Sequence, residues 1–132
     1  ADVDRFKQIN DAHSHGVGDR VLERVAEILA SRARDCDLVA RYGGEEFLFC
    51  LVGMSELEAA MFCDELRRAV EQERWTHLAS GLQVTLSIGL ATRRHETTPL
   101  ALLHHADVCL YRAKHLGRNR VVSRPAVDSG VA

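Results

Sequence analysis

Two carboxylates, Glu45 and Glu46, follow two glycines, Gly43 and Gly44, between stretches of apolar residues. A second acidic pair, Asp2 and Asp4, stands near the start of the chain and is followed by Arg5-Phe6-Lys7. An isolated Gly-Gly-Glu-Glu reads most simply as a solvated turn. That reading changes if the segment carrying Asp2 lies beside the glycine turn, because a carboxylate from each then shares one site. Hard oxygen ligands of this kind suit Mg²⁺, which takes few protein carboxylates and otherwise keeps water and substrate phosphates. Backbone N–H groups after Arg5, with the Lys7 ammonium, suit phosphate oxygens. Gly43 and Gly44 let a nucleotide approach the backbone closely. Together these residue types point to metal-assisted chemistry on a nucleoside triphosphate.

Such a site needs elements that bring two distant segments together. Val21, Leu22, Val25, Ile28 and Leu29 recur at helical spacing, which predicts a helix over 17–33 with one buried face. Ser55 and Glu58 match a capping box, and Ala59, Phe62, Leu66 and Val70 form the apolar stripe behind it. Thr98-Pro99 suits a helix start, Leu100, Leu103, Ala106 and Leu110 continue it, and Gly117 can end it. Leu82, Val84, Leu86, Ile88 and Leu90 alternate with Gln83, Thr85, Ser87, Gly89 and Ala91, the period of a strand with one covered face. The apolar run 47–52 suits a central strand. With 38–42 before it and a short glycine turn between, it predicts a β-hairpin. Residues 119–123 read as a short last strand, and the chain opens on what reads as the end of one. This order predicts an α+β fold, a mostly antiparallel central sheet flanked by helices.

At 132 residues the chain can bury the core of one domain. Apolar residues make up 46% and charged residues 27%, an ordinary globular mix. A net charge of -2 offers no bulk attraction for nucleic acid, which is not expected as a partner. No apolar run reaches the length of a membrane span and no signal peptide is legible, so the domain is expected in the cytoplasm. The four cysteines, Cys36, Cys50, Cys63 and Cys109, form no CxxC pair. Cys50 and Cys63 fall on apolar faces, and buried free thiols in a reducing compartment are expected. The seven histidines, among them His13/His15 and His104/His105, come without the cysteine or carboxylate spacing of a zinc site. Residues 124–132 read as a flexible tail behind a domain spanning 1–123.

Several blocks resemble one family in order and spacing. They are DVDRFKQIND (Asp2 to Asp11), GVGDRVL (Gly16 to Leu22), RYGGEEF (Arg41 to Phe47), TLSIGLA (Thr85 to Ala91) and ADVCLYRAKHLGRNRV (Ala106 to Val121). The family is GGDEF, the bacterial diguanylate cyclases, which join two GTP into cyclic di-GMP. The resemblance runs to about Val122 and implies a ferredoxin-like, nucleotidyl-cyclase palm-type fold. It implies that Asp2 and Glu45 are metal carboxylates for Mg²⁺ or Mn²⁺, with the Val3 carbonyl as a backbone ligand and Asp4 assisting a second ion. Phe6, through its backbone N–H, and Lys7 would meet the triphosphate. Lys114 and Arg118, one helical turn apart, would reach the terminal phosphates. Asn10 and Asp19 would read the guanine edge, Asp19 accepting from N1–H and N2–H₂. Glu46 would lie beside the attacking 3′-OH or help order the site. Taken singly, Asp19 equally suits a helix cap, Lys114 and Arg118 suit charges that complement a helix dipole, and Asn10 suits a turn. Their joint occurrence at the family spacings favours the functional reading.

Arg34-Asp35-Cys36-Asp37 reads R-x-x-D, which alone is a charged connection. In the family it is the inhibitory product site, and the resemblance implies that Arg34 stacks on and bonds to guanine while Asp37 accepts from its edge. Ser14 stands where the family usually has Gly. Glu65 stands where a supplementary product-site arginine often lies, so weaker product binding is expected. The family has a further helix and the beginning of the first strand before the position of Asp2. An N-terminally incomplete domain, fused in the full protein to an upstream sensory or regulatory domain, is therefore expected. The overall expectation is a product-inhibited cyclase active as a homodimer. One alternative is a catalytically silent module that binds GTP or cyclic di-GMP and regulates a fused partner; another is a relative that uses a different base.

Overall fold

The computed structural model describes residues 1–94 and 97–124. The expected tail, 124–132, lies outside them except for Arg124, whose guanidinium pairs with Glu56 at 2.7 and 2.8 Å. The elements run β1 (Asp2–Val3), α1 (Phe6–Ala12), α2 (His15–Arg32), β2 (Leu38–Arg41), β3 (Phe47–Cys50), α3 (Glu56–Gln72), a 3₁₀ turn (Trp75–His77), β4 (Leu86–Gly89), α4 (Pro99–His115) and β5 (Val121–Val122).

Local chemistry fixes the helix ends. Ser55 Oγ accepts from the Glu58 N–H while the Glu58 carboxylate accepts from the Ser55 N–H, the reciprocal capping box. Thr98 Oγ accepts from the Ala101 N–H, and Pro99 occupies the first position of α4. Gly117, at φ 122°, takes the chain out of that helix. The cap of α2 is Ser14, whose Oγ accepts from the Val17 N–H, so Asp19 is not needed as a cap. Val21, Leu22, Val25, Ile28 and Leu29 are buried as their spacing predicts.

Strands β2 and β3 form the expected hairpin, Leu38 opposite Cys50 and Arg41 opposite Phe47. Strand β1 runs antiparallel to β4, with Asp2 opposite Ser87 and Val3 opposite Leu86. A bridge sets Asp2 opposite Glu46, and the Val3 N–H donates to the Glu45 carbonyl (3.1 Å). Strand β1 thus lies between the hairpin and β4, at the centre of the sheet. Strand β5 joins β4 in parallel, Ile88 opposite Val121, after the crossover through α4.

Two expectations change. The alternation over 82–91 yields a strand only at 86–89. Leu82 and Val84 are buried, but β1 is too short to pair with them, so their alternation reflects burial rather than a ladder. Cys63 is buried as expected, whereas Cys50 is exposed. Cys50 lies at the end of the hairpin, opposite an exposed Leu38, beyond the reach of the core.

Gly89 determines how closely α4 approaches the sheet. A Cβ there would lie 2.2 Å from the Ala106 carbonyl oxygen and 2.3 Å from the Leu110 nitrogen. Both are backbone atoms of α4 and cannot swing aside. Gly89→Ala therefore pushes α4 off β4 and is expected to destabilise the fold by about 3 kcal/mol. A denaturant midpoint within error of wild type would show that α4 is not packed this tightly.

Candidate active site

The strand order answers what the sequence left conditional. Asp2 and the Glu45-Glu46 pair come from segments more than forty residues apart and meet across the β1–hairpin bridge. Asp2 is 4% exposed, and its Oδ2 lies 3.0 Å from the Lys114 ammonium. Burial pushes the Glu45 carboxyl above its ordinary value, and the neighbouring Asp2 and Glu46 charges add to the rise, while Lys114 opposes it. The site is therefore an anionic pair with one facing cation. Lys114 reaches it because α4 lies close over β4 at Gly89.

The donor set fits a hard divalent ion. The Asp2 and Glu45 carboxylates come together where the Val3 backbone pairs with the hairpin. Among the described residues no group of three His, Cys, Asp or Glu side chains could hold an ion unaided. An ion here would complete its shell with water and substrate phosphates, the habit of Mg²⁺ and Mn²⁺ rather than of a closed protein cage.

The hairpin tip is held by a residue not singled out in the sequence. The Arg41 guanidinium donates to the Gly43 carbonyl (3.2 Å) and to the Gly44 carbonyl (2.7 and 3.2 Å). The Tyr42 and Gly43 N–H groups close the turn onto the Glu46 carbonyl. Arg41 lies inside the RYGGEEF signature, so its position was visible though its task was not. A Cβ on Gly44 would meet no protein atom within 4 Å, so protein packing alone does not require glycine there.

The α1–α2 corner carries the second group of candidates. Phe6 is buried in the core and Lys7 is exposed beside it. Arg5 enters α1 in the left-handed conformation, and no side chain caps that helix. Asn10 packs against Gly18, where an added Cβ would lie 1.8 Å from its Oδ1. Asp19, the next residue, is exposed at the same corner. The Asn10 side-chain oxygen is buried and has no hydrogen-bond partner among the described residues. An orphaned buried acceptor costs about 1–3 kcal/mol.

Asp4 is engaged differently from Asp2. Its oxygens accept from Ser87 Oγ (2.5 Å), Thr85 Oγ1 (2.7 Å) and the Asn119 N–H (3.0 Å). Thr85 and Ser87 belong to the polar set of the alternating segment, yet Ser87 is fully buried, so the sheet is covered on both faces here. Arg118 and Asn119 form the turn between α4 and β5, both at positive φ. Lys114 sits on the last turn of α4 and Arg118 just beyond it, so the two are not on one continuous helix.

Arg34 and Asp37 meet at the opposite end of the hairpin from its glycine turn. The Arg34 guanidinium donates to both Asp37 oxygens (2.9 and 2.7 Å) and to the Val52 carbonyl (2.7 Å), and Asp37 accepts from the Val52 N–H (3.2 Å). The Asp37 side chain is wholly covered, while that of Arg34 is 43% exposed. Hydrogen bonding to Arg34 holds the Asp37 carboxyl far below the ordinary carboxylate range. On α3, Arg67 binds Asp64 and Asn119, and Glu65 stands between them in the sequence.

Comparisons with known proteins agree with this geometry. A family model described as "Diguanylate cyclase, GGDEF domain" matches residues 1–120. Diguanylate cyclase A of Treponema denticola is 40% identical over 121 residues, which cover 91% of this chain and 33% of that protein. Response regulator PleD of Caulobacter vibrioides is 43% identical over 128 residues, covering 95% of this chain and 28% of that one. This chain thus spans about a third of the length of the curated relatives it matches. Among solved structures, the GGDEF domain of DgcB from Caulobacter crescentus, in complex with c-di-GMP, superposes with a TM-score of 0.86 at 33% identity. That match covers 92% of this chain and 73% of the other. The active GGEEF domain of a diguanylate cyclase from Vibrio cholerae matches at 0.86 and 30%, covering 94% and 79%.

Proposed function

Because the chain belongs to the GGDEF domain family, we propose that it acts as a diguanylate cyclase, condensing two GTP into cyclic di-GMP. The observation that carries this reading is the meeting of Asp2 with the Glu45-Glu46 pair across the β1–hairpin bridge, faced by Lys114. In each half of the reaction a 3′-oxygen forms a bond to the α-phosphorus of the opposite GTP. The bond from that phosphorus to the β-phosphate oxygen breaks, and pyrophosphate and a proton leave. Asp2, Glu45 and the Val3 carbonyl would hold Mg²⁺ or Mn²⁺, which when bound supplies charge neutralisation and a lowered pKa for the attacking hydroxyl. The Phe6 N–H and Lys7 orient the triphosphate. Lys114 and Arg118 take up the negative charge that grows on the departing pyrophosphate. Asn10 and Asp19 accept from the guanine N–H groups, which gives the orphaned Asn10 oxygen a partner. Glu46, backbone-paired to Asp2, stands where it can receive the hydroxyl proton or order the site.

Each copy holds one nucleotide, so two copies must meet face to face. Specific activity is expected to rise with protein concentration until dimers dominate. A proven monomer whose specific activity is independent of concentration would contradict the two-copy arrangement. The substrate is cytoplasmic GTP, and among the described residues no helix is long and apolar enough to cross a membrane. The share of its relatives that the chain spans suits a domain fused to a regulatory partner.

Feedback enters at Arg34 and Asp37. Arg34 presents its exposed face to a guanine while its other donors stay on Asp37 and Val52. Cyclic di-GMP held there would clamp two copies apart without touching GTP, and the coupling between the two sites is reciprocal. Arg34→Ala is expected to abolish product inhibition. Its initial rate should change only through the modest stability lost with the Asp37 contacts. Wild type and variant that bind and respond to cyclic di-GMP equally would reduce the R-x-x-D segment to a structural clamp.

A further inference from the structure

We infer that Asp4 is a positioning residue for substrate phosphate: it anchors the Arg118–Asn119 turn to the central strand and so fixes where the Arg118 guanidinium can reach. This inference rests on the GTP reading above and replaces the expectation that Asp4 assists a metal ion. Three observations support it. First, Asp4 is 6% exposed and already accepts three hydrogen bonds. A carboxylate offers about four acceptor positions, so little capacity remains for an ion. Second, the turn it holds is strained. Arg118 sits at φ 62° and Asn119 at φ 47°, and the left-handed region costs a non-glycine residue on the order of 1 kcal/mol. Such conformations persist where the surroundings over-determine them. Here the Asn119 N–H is fixed by Asp4, the Arg118 N–H by the Ala113 carbonyl (3.0 Å), and the Ile88 N–H holds the Arg120 carbonyl (2.9 Å). Third, α3 grips the same turn from the other side. Arg67 donates to Asn119 Oδ1 (2.9 Å), and the Asn119 amide donates to Glu71. Much of the polar equipment around the turn is thus devoted to the shape of the segment that carries Arg118.

The test uses the full chain, with nucleotide affinity measured in Ca²⁺ to limit turnover. Asp4→Asn keeps the size of the side chain but exchanges one acceptor oxygen for a donor. It is expected to weaken GTP binding about tenfold and GDP binding much less, since GDP lacks the terminal phosphate, with Mn²⁺ affinity unchanged. In an Arg118→Ala background the same change should add almost nothing. Losses that multiply independently in the double variant, or an equal loss for GTP and GDP with weakened Mn²⁺ binding, would overturn the inference in favour of an ion ligand. Asn119 supplies a second pair of variants should Asp4→Asn fail to fold. Asn119→Ala should weaken GTP binding. Asn119→Gly, which favours the left-handed turn and keeps the N–H, should recover most of the loss. Equal losses in the two would also overturn it. Amide exchange at Asn119, measured without nucleotide, separates this inference from the GTP reading. If the wild type binds no GTP, the functional reading fails, and with it Arg118's task. Slow exchange that quickens in Asp4→Asn confirms the anchor itself, and unchanged exchange removes it.

Discussion

Asp2→Asn and Glu45→Gln are each expected to lower turnover about a thousandfold while the protein stays folded. A bound divalent ion supplies several kcal/mol of charge stabilisation, and each 1.4 kcal/mol is tenfold in rate. Losing one of two carboxylates removes most of it. The two variants should part company in stability. Glu45 has its carboxyl pushed up by burial and by Asp2, so folding favours its protonated form. Its contribution is fully present below the unfolded carboxyl pKa and is lost as pH rises through the raised folded value. At neutral pH the ionised Glu45 is therefore a liability, and Glu45→Gln should raise the melting temperature of the ligand-free protein. That gain should shrink as pH falls toward 4. Asp2→Asn instead leaves Lys114 without its partner and should melt lower. Near-normal turnover in either folded variant would remove the metal assignment.

GTP is expected to be used and ATP to be rejected by a factor on the order of 10⁴, a scale reached where buried polar groups are left unpaired by the wrong ligand. Adenine presents no N1–H and no N2–H₂ to Asn10 and Asp19. With ATP the Asn10 oxygen would stay buried without a partner, as it is among the described residues of the ligand-free protein. Asp19→Ala should erase most of the preference or all activity. Gly18→Ala offers an independent check, because its Cβ would occupy the place of the Asn10 amide. It should damage GTP binding more than it damages the fold. Equal calorimetric affinity for ATP and GTP in the wild type would mean that these residues do not read the base.

Periodicity and capping chemistry made the helices legible. Ser55-Glu58 and Thr98-Pro99 define α3 and α4 from local bonds alone, and the buried face of α2 follows from its spacing. The hairpin was legible from its glycine turn. Sheet order was not, because no local signal says that a two-residue β1 inserts between the hairpin and β4. That insertion depends on contacts across more than forty residues, including the Val3–Glu45 backbone bond. The site followed the same division. Asp2, Glu45 and Lys114 were named from spacing and resemblance, and the fold brings them together. Asp4 looked like their equal in the sequence, since Asp-x-Asp gives no sign of which carboxylate will meet hydroxyl donors. Thr85 and Ser87 looked like a solvent face and are instead its buried partners. Arg41 donates to backbone carbonyls and Asn119 meets Asp4 through its own backbone N–H, and hydrogen bonds that involve the backbone leave no spacing to read.

The most direct measurement is to incubate the full-length protein with GTP and Mg²⁺ and to identify the product by chromatography and mass. Cyclic di-GMP should form with two pyrophosphates released per molecule, at a specific activity that rises with protein concentration, and Glu45→Gln should form it about a thousandfold more slowly. GTP that binds but remains intact after prolonged incubation, at concentrations where dimers prevail, would contradict the cyclase reading and leave a binding module in its place.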